Sequence, residues 1–431
     1  TFSAMFCFWI SAYTIHFGLV VYSLVCMIGF MTGLEIPLIM RINQTYESLR
    51  ENISSVMEYD YYGGLLGGAL FAFVLLPFLG LTYTPVLIGS LNLLVASLVL
   101  WHFSNHLVRP RILNIQFTAL LIISVLAFSV AKPIVLYGEQ HKYKDKIIYQ
   151  EQTRYQKIVV TQWKDNFWLF INGSTQFSTY DEERYHEPLV HPVMSLLKEH
   201  KDILLLGAGD GLAAREILKY SDVESLTLVD LDPAMTRLAR QHKMFLEINQ
   251  GSLNDTRVRV INKDAYQFMK ESPDLYDAII IDLPDPKSVS LSLLYSLGFY
   301  KMVEKHLKPF GAMVTQSTSP LYSPEAFLCI KKTMQAANFS TLPYQNSVPS
   351  MGQWGWVLGI RKKTMPANRL KQEIIAQKLS DIETRFFNQN AMISMANFGK
   401  GLFEKEDKIK PNTQFNHNIL KYYRQGSWDL Y

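Results

Sequence analysis

The carboxylates best placed to do chemistry in this sequence follow short apolar runs. Ile203 to Leu206 leads into Gly207-Ala208-Gly209-Asp210-Gly211, and Leu226 to Val229 ends at Asp230, 23 residues after Gly207. A glycine loop lets backbone approach a ligand closely, and an acidic residue closing the next strand suits a ribose diol. Val258 to Ile261 delivers Asp264-Ala265, where a carboxylate can accept from an exocyclic amine such as adenine's. YDAIII delivers Asp282-Leu283-Pro284-Asp285-Pro286, and Gly311 to Gln316 brings Gln316 to the same rim. Two carboxylates three residues apart in a proline-stiffened loop read in one of two ways. They form a solvated turn with Asp as turn former, or they face a ligand at the carboxyl ends of an open α/β sheet. With strand, glycine loop, helix and acidic residue in order, a nucleoside site is favoured over a structural turn.

The elements that must position these groups alternate strand and helix from about Ile203, with a helix over Leu212 to Tyr220 after the glycine loop. Upstream, KIIYQ, YQKIVVTQW and NFWLFING alternate apolar and polar residues and end at Asn172-Gly173, a hairpin signal. Before about residue 138 the chain is dominated by apolar runs. Met5 to Met31, Gly63 to Thr82, Pro85 to His102 and Leu113 to Val130 each approach, reach or exceed the roughly 20 residues that span a bilayer as helix. Almost no charge interrupts them, which excludes amphipathic core helices. Gly63, Gly64, Gly67 and Gly68 offer a face for a neighbouring helix. Glu35 beside Pro37, between the first two spans, marks a transport path or, the favoured reading, an interfacial cap, and His16 reads as a polar packing group in preference to a proton relay. Flanking charges tie: Arg41, Arg50, Arg109 and Arg111 oppose Lys132, Lys142, Lys144 and Lys146. The net charge of +4 supports no nucleic-acid inference, because no basic run interleaved with aromatics appears, and no nucleic-acid partner is expected. Cys7, Cys26 and Cys329 form no CxxC pair and read as small hydrophobes without a disulfide or zinc site. A start at Thr1 inside a hydrophobic stretch suggests upstream segments.

RYQ at 154–156, NGSTQ at 172–176, DEERYHE at 181–187, GAGDG at 207–211, VDLD at 229–232, KDA at 263–265, DLPDP at 282–286 and GQWGW at 352–356 occur in the order of one family. Over about Lys146 to Arg361 the chain resembles the spermidine synthases, which are polyamine aminopropyltransferases. Its apolar half is similar to that of the multi-spanning bacterial members. The resemblance implies an α/β, Rossmann-like AdoMet-dependent transferase fold with a small N-terminal β-domain, preceded by a transmembrane helical bundle. The expected domains are 1–137 (membrane helices), 138–190 (small β-domain), 191–362 (catalytic) and 363–431 (helical tail). The tail, with an amphipathic run over Lys371 to Phe386, is expected to be scaffold or membrane-surface packing without chemistry.

Carried over by position, the resemblance implies that Gln156, Asp230, Asp264 and Ala265 hold the adenosine part of decarboxylated S-adenosylmethionine, with Gly207 and Gly209 also cofactor-binding and Gln176 nearby in the same site. Asp210 faces its aminopropyl ammonium. Tyr185, His186, Asp285 and Gln316 line the polyamine site, with Asp282 as proton acceptor, and no metal takes part. The products are methylthioadenosine and a spermidine-like amine. A homodimer through the catalytic half is expected, with a lipid bilayer around the apolar spans, as is a multi-pass inner-membrane protein whose catalytic half faces the cytoplasm, where its nucleoside substrate is made. A polyamine is a multiple cation, so a pocket with several carboxylates suits it, and the attacking amine needs a positioned base.

The sequence departs from the family at three places. Asp230 stands where Glu is usual, Val289 replaces the second loop proline, and the tyrosine before the final Gly-Gln is absent, with Pro349 near its place. The last two touch the far wall of the amine site and predict a looser choice among amines. Two other functions fit the elements: a methyltransferase using intact S-adenosylmethionine, and an inactive polyamine-sensing or transport-coupled membrane protein. Asp210 opposes the first, because it would repel the methionine carboxylate. Asp210, Asp282 and Asp285 together oppose the second.

Overall fold

The computed structural model describes residues 7, 10, 17–44, 48–103, 110–377 and 382–428. Met5, His16 and Arg109 lie outside the described residues. The chain divides into two compact units, Thr1–Ile147 and Ile148–Tyr431.

The first unit is helical, over Phe17–Asn43, Leu49–Leu70, Leu76–His102 and Pro110–Gln140. Its stretches Gly18–Asn43, Leu49–Gly80, Tyr83–His102 and Arg111–Val130 are long and apolar enough to cross a membrane, by length and composition. Large apolar side chains along them are exposed, among them Phe30, Leu65, Phe73, Phe78 and Trp101. Glu35 and Pro37 lie inside the helix Phe17–Asn43, so the expected cap between spans is corrected. An apolar helix tolerates proline where freed carbonyls find other donors. Asn52 shows why the next helix starts well before the apolar run. It is fully buried, donates to the Met40 carbonyl at 2.8 Å and accepts from Asn43 at 3.2 Å, joining the two helices. The face of Gly63, Gly64, Gly67 and Gly68 meets no neighbour among the described residues, contrary to the expected helix contact. A π-type turn over Phe71–Leu75 and a left-handed Gly80 bend the chain before Pro85. The Thr84 hydroxyl donates there to the Leu75 and Gly80 carbonyls at 3.1 and 2.6 Å.

The second unit opens with a sheet ordered β1 (Lys146–Gln152), β2 (Lys157–Trp163), β3 (Asn166–Ile171) and β4 (Ser174–Ser178). β3 and β4 are joined through Asn172 and Gly173, both at positive φ (51° and 80°), as a two-residue hairpin turn matched to strand twist requires.

A second sheet follows, built from β5 (Asp202–Gly207), β6 (Ser225–Asp230), β7 (Val258–Asn262), β8 (Tyr276–Asp282), β9 (Leu307–Gln316), β10 (Phe339–Val348) and β11 (Gly352–Arg361). Its order is β10-β11-β9-β8-β5-β6-β7. β5 to β9 pair in parallel, while β11 pairs antiparallel with β9 and β10. Parallel strands covered on both faces read as continuous apolar runs, and these strands divide their residues between two cores. Ile203, Leu205, Ala278 and Ile280 face one, and Leu204, Leu206, Ile279 and Ile281 face the other. Strand order reverses between β5 and β8, so their carboxyl ends flank the crevice where such sheets bind ligands.

In the tail the expected amphipathic run is displaced. The helix is Ala367–Ala376, and the N–H groups of Arg385, Phe386 and Phe387 turn instead to the buried Glu187 carboxylate at 2.7–2.8 Å.

Candidate active site

Gly207 and Asp282 are direct partners across the β5–β8 ladder, so the glycine loop and the DLPDP loop leave the sheet side by side. Gly207 has φ +83°, and a Cβ there would overlap the Asp282 carbonyl. Gly209 packs so closely on β6 that a Cβ would lie 2.6 Å from the Asp230 carboxylate. Both glycines are demanded by close approach.

Asp230 accepts from the Gly209 amide at 3.1 Å and the Asp232 amide at 2.8 Å. Desolvation pushes its carboxyl up to about 6, opposed by the Asp232 amide. Thr153 donates to Asp232 at 2.8 Å and also receives the Gln156 amide at 3.0 Å. The Gln156 turn is thereby moored two residues from Asp230. Asp264 caps the helix Ala265–Glu271, accepting from the Gln267 amide at 2.9 Å, and Ala265 is buried behind it. The Lys263 amide donates to the Asp230 carbonyl at 3.0 Å, which keeps this group on the same rim. Gln176 is turned back on its own strand, donating to the Ser174 and Thr175 carbonyls at 3.2 and 3.4 Å. Its strand is tied to the DLPDP loop by Lys287, which donates to Ser174 at 2.6 Å.

Around Asp282 the charges are dense. The Tyr185 hydroxyl donates to its Oδ1 at 2.6 Å. Desolvation lifts the Asp282 carboxyl to about 6; the His186 charge and the Tyr185 bond lower it, and Asp210 raises it. Asp210 is buried, accepts from the Leu212 amide at 2.8 Å, and is raised by desolvation against the pull of His186. Burial alone would lower His186, but Glu182, whose side chain and carbonyl accept from Nδ1 at 3.0 and 2.9 Å, raises it overall. Glu182 is in turn held down at about 2; burial opposes its charge, but His186 and Arg215 outweigh that. Tyr185 packs against Trp356 and Trp354 of β11, ring centroids 5.4 and 6.4 Å apart.

Asp285 is held from two sides. Gln316 Nε2 lies 3.4 Å from Oδ1, and the Tyr423 hydroxyl donates to Oδ2 at 2.9 Å. Gln316 also donates to the Leu283 carbonyl and the Tyr295 hydroxyl, both at 2.6 Å. Tyr295 donates to the Leu283 and Pro284 carbonyls at 2.9 and 3.1 Å. The loop is thus braced from beneath.

The candidate residues therefore fall into two groups on one rim. Gln156, Gly207, Gly209, Asp230, Asp264 and Ala265 form one, and Tyr185, His186, Asp210, Asp282, Asp285 and Gln316 the other. The sequence reading missed Glu182, Arg215, Tyr295 and Tyr423. Glu182 lay inside a quoted motif, whereas nothing near Tyr295 or Tyr423 signals their partners. The tail expected to be free of chemistry is corrected here, because its Tyr423 reaches a candidate site carboxylate.

A sequence profile described as the spermine/spermidine synthase domain matches residues 182–372. The chain is 39% identical over 420 residues to a protein named polyamine aminopropyltransferase from Oceanobacillus iheyensis, covering 95% of this chain and 79% of that protein. It is 42% identical over 343 residues to one of the same name from Leptospira interrogans, covering 80% and 69%. A crystal structure of spermidine synthase in complex with the transition-state analogue AdoDATO superposes with a TM-score of 0.55 at 24% identity, over 61% of this chain and 89% of that one. The Rossmann-type α/β fold with its mixed sheet is shared.

Proposed function

Because the chain belongs to the spermine/spermidine synthase family, we propose that its rim aligns decarboxylated S-adenosylmethionine with putrescine or a related polyamine, with Asp282 as proton acceptor. The chain is an aminopropyltransferase acting on polyamines. The observation that carries the site assignment is the direct pairing of Gly207 with Asp282, which sets the base beside the nucleoside loop.

Gln156, Asp230, Asp264 and Ala265 hold the adenosine, and Gln176 lines the approach from the small sheet. Asp210 takes the aminopropyl ammonium. Asp285, braced by Gln316, takes the amine's distal cation, while the Tyr185 hydroxyl orients Asp282 and His186 lines the polyamine site and favours the charged form of Asp282 electrostatically. The acceptor nitrogen loses a proton to Asp282, and its lone pair forms a bond to the carbon beside the sulfonium. The carbon–sulfur bond breaks with its electrons going to sulfur, and methylthioadenosine leaves. The sulfonium is an activated leaving group, so alignment and proton removal suffice. Purified protein given decarboxylated S-adenosylmethionine with putrescine or spermidine is expected to release methylthioadenosine, and no release with either amine overturns the reading.

The pH profile follows from Asp282. The base works ionised, and its carboxyl sits at about 6. Activity at saturating amine is therefore expected to fall as pH drops through about 6, by about tenfold per unit below it. A limb near 4 would mean that an ordinary carboxylate limits the rate.

The remaining readings extend this proposal. Exposed apolar side chains on the spanning-length helices suit a lipid bilayer. The organisation is membrane bundle (1–137), small β-domain (138–190), catalytic domain (191–362) and tail (363–431). Exposed Ile148 and Trp163 on the small sheet leave apolar surface for a homodimer through the catalytic half. The protein sits in the inner membrane with that half in the cytoplasm, where its nucleoside substrate is made. Protease added to the periplasmic side of spheroplasts should leave the catalytic half intact, and cleavage there would reverse the topology.

A further inference from the structure

The sequence carries no tyrosine immediately before Gly352-Gln353, yet a phenol still stands at Asp285, supplied from the tail. The route is continuous. Tyr423 is buried in the second core, on the helix Asn418–Arg424. Trp428 packs on the Tyr423 ring with centroids 4.6 Å apart, and its Nε1 donates to the Tyr423 carbonyl at 2.9 Å. Trp428 also packs against Tyr322, with centroids 5.9 Å apart. Tyr322 lies so close to Gly352 that a Cβ there would be 2.8 Å from its ring. A chain of aromatic contacts therefore links the turn before Gln353 to Tyr423, whose hydroxyl lies 2.9 Å from Asp285.

The tail is strapped firmly enough to hold that hydroxyl in place. Asn412 donates to the Ser292 carbonyl at 2.7 Å and accepts the Leu297 amide on its own carbonyl at 2.9 Å. Ser292 Oγ and His417 Nδ1 are 2.7 Å apart. Lys331 binds Glu406 at 2.7 Å, and Lys332 donates to the Ile409 carbonyl at 3.1 Å.

We propose that Tyr423 is a positioning residue for amine selection, acting through Asp285 in place of the tyrosine that the Gly352-Gln353 turn lacks. This rests on the polyamine site described above. The phenol donates one bond to a carboxylate whose other oxygen faces Gln316, fixing the direction in which the carboxylate meets the amine's distal cation. The looser amine choice expected from the missing tyrosine is replaced by a defined length optimum in the unaltered chain.

The test is Tyr423→Phe in the full chain, which keeps the ring on Trp428 and removes only the hydroxyl. Turnover is measured over a diamine length series, and putrescine binding by calorimetry. A lost hydrogen bond to a charged group predicts amine KM and Kd raised about tenfold or more, a flattened length optimum, and an unchanged KM for decarboxylated S-adenosylmethionine. Trp428→Ala should move the same parameters less. Amine KM, Kd and length preference within about twofold of the unaltered chain would overturn the proposal. So would both substrates' KM values rising together with a lower Tm, the mark of a merely structural residue. If the unaltered chain binds putrescine without transferring to it, the transfer reading fails while the Kd comparison still decides the role of Tyr423. If it binds no diamine, both fail.

Discussion

Asp282→Asn is expected to lower methylthioadenosine release by about 10²–10⁴-fold, the usual contribution of a positioned general base. The substitution is nearly isosteric, and the amide oxygen still accepts from the Tyr185 hydroxyl, which contacts Oδ1 at 2.6 Å in the parent. What disappears is the lone pair that takes the amine's proton and the negative charge facing His186. The groups assigned to adenosine sit in the turn before β2, at the end of β6 and at the Asp264 cap and keep their contacts. Nucleoside affinity, measured by calorimetry with methylthioadenosine, should stay within about threefold. Turnover near the parent value would remove Asp282 as the base, whereas loss of both turnover and nucleoside affinity would show a collapsed site.

Asp210→Asn is expected to erode the choice between the decarboxylated donor and intact S-adenosylmethionine. Asp210 is buried in the glycine loop, and its Oδ1 bond to the Leu212 amide at 2.8 Å survives in the amide. Only the charge is lost. Truncating one partner of a buried charge pair costs about 2–5 kcal/mol, so affinity for the decarboxylated donor should fall by roughly 10²-fold or more. Intact S-adenosylmethionine, whose carboxylate Asp210 would repel in the proposed site, should bind equally well or better. Competition binding of the two donors reads this directly, and an unchanged ratio would refute the charge argument.

The catalytic half was legible because each of its signals is local. A strand buried on both faces is a run of apolar residues, and the group it delivers follows within a few positions, as in YDAIII and Asp282. The turn at Asn172-Gly173 is fixed by two residues that tolerate positive φ. What stayed hidden depends on chain returning from afar. Tyr423 meets Asp285 across 138 residues, and the N–H groups of Arg385, Phe386 and Phe387 turn to Glu187 and not to a helix. No local periodicity encodes such a choice. In the apolar half, hydropathy marks where a helix is greasy and not where its backbone ladder begins. That is why Asn52 lies in a helix whose apolar run starts later, and why Glu35 and Pro37 lie inside one.

The Gly207–Asp282 pairing also bears on entropy. Two loops that must cooperate usually have to be brought into register when the ligand arrives, and the ordering of their backbones opposes binding. Here the register is part of a hydrogen-bonded ladder, with Leu206 opposite Ile281 and Leu205 opposite Ile280 behind it. The mutual alignment of the glycine loop and Asp282 is therefore settled when the sheet forms, before any ligand is present. A single-residue insertion in β5 or β8 would carry one loop about 3.3 Å past the other, separating them with every named side chain still present, while a similar insertion at exposed Ser290, on the short helix Val289–Leu293 beyond the ladder, would leave the register untouched.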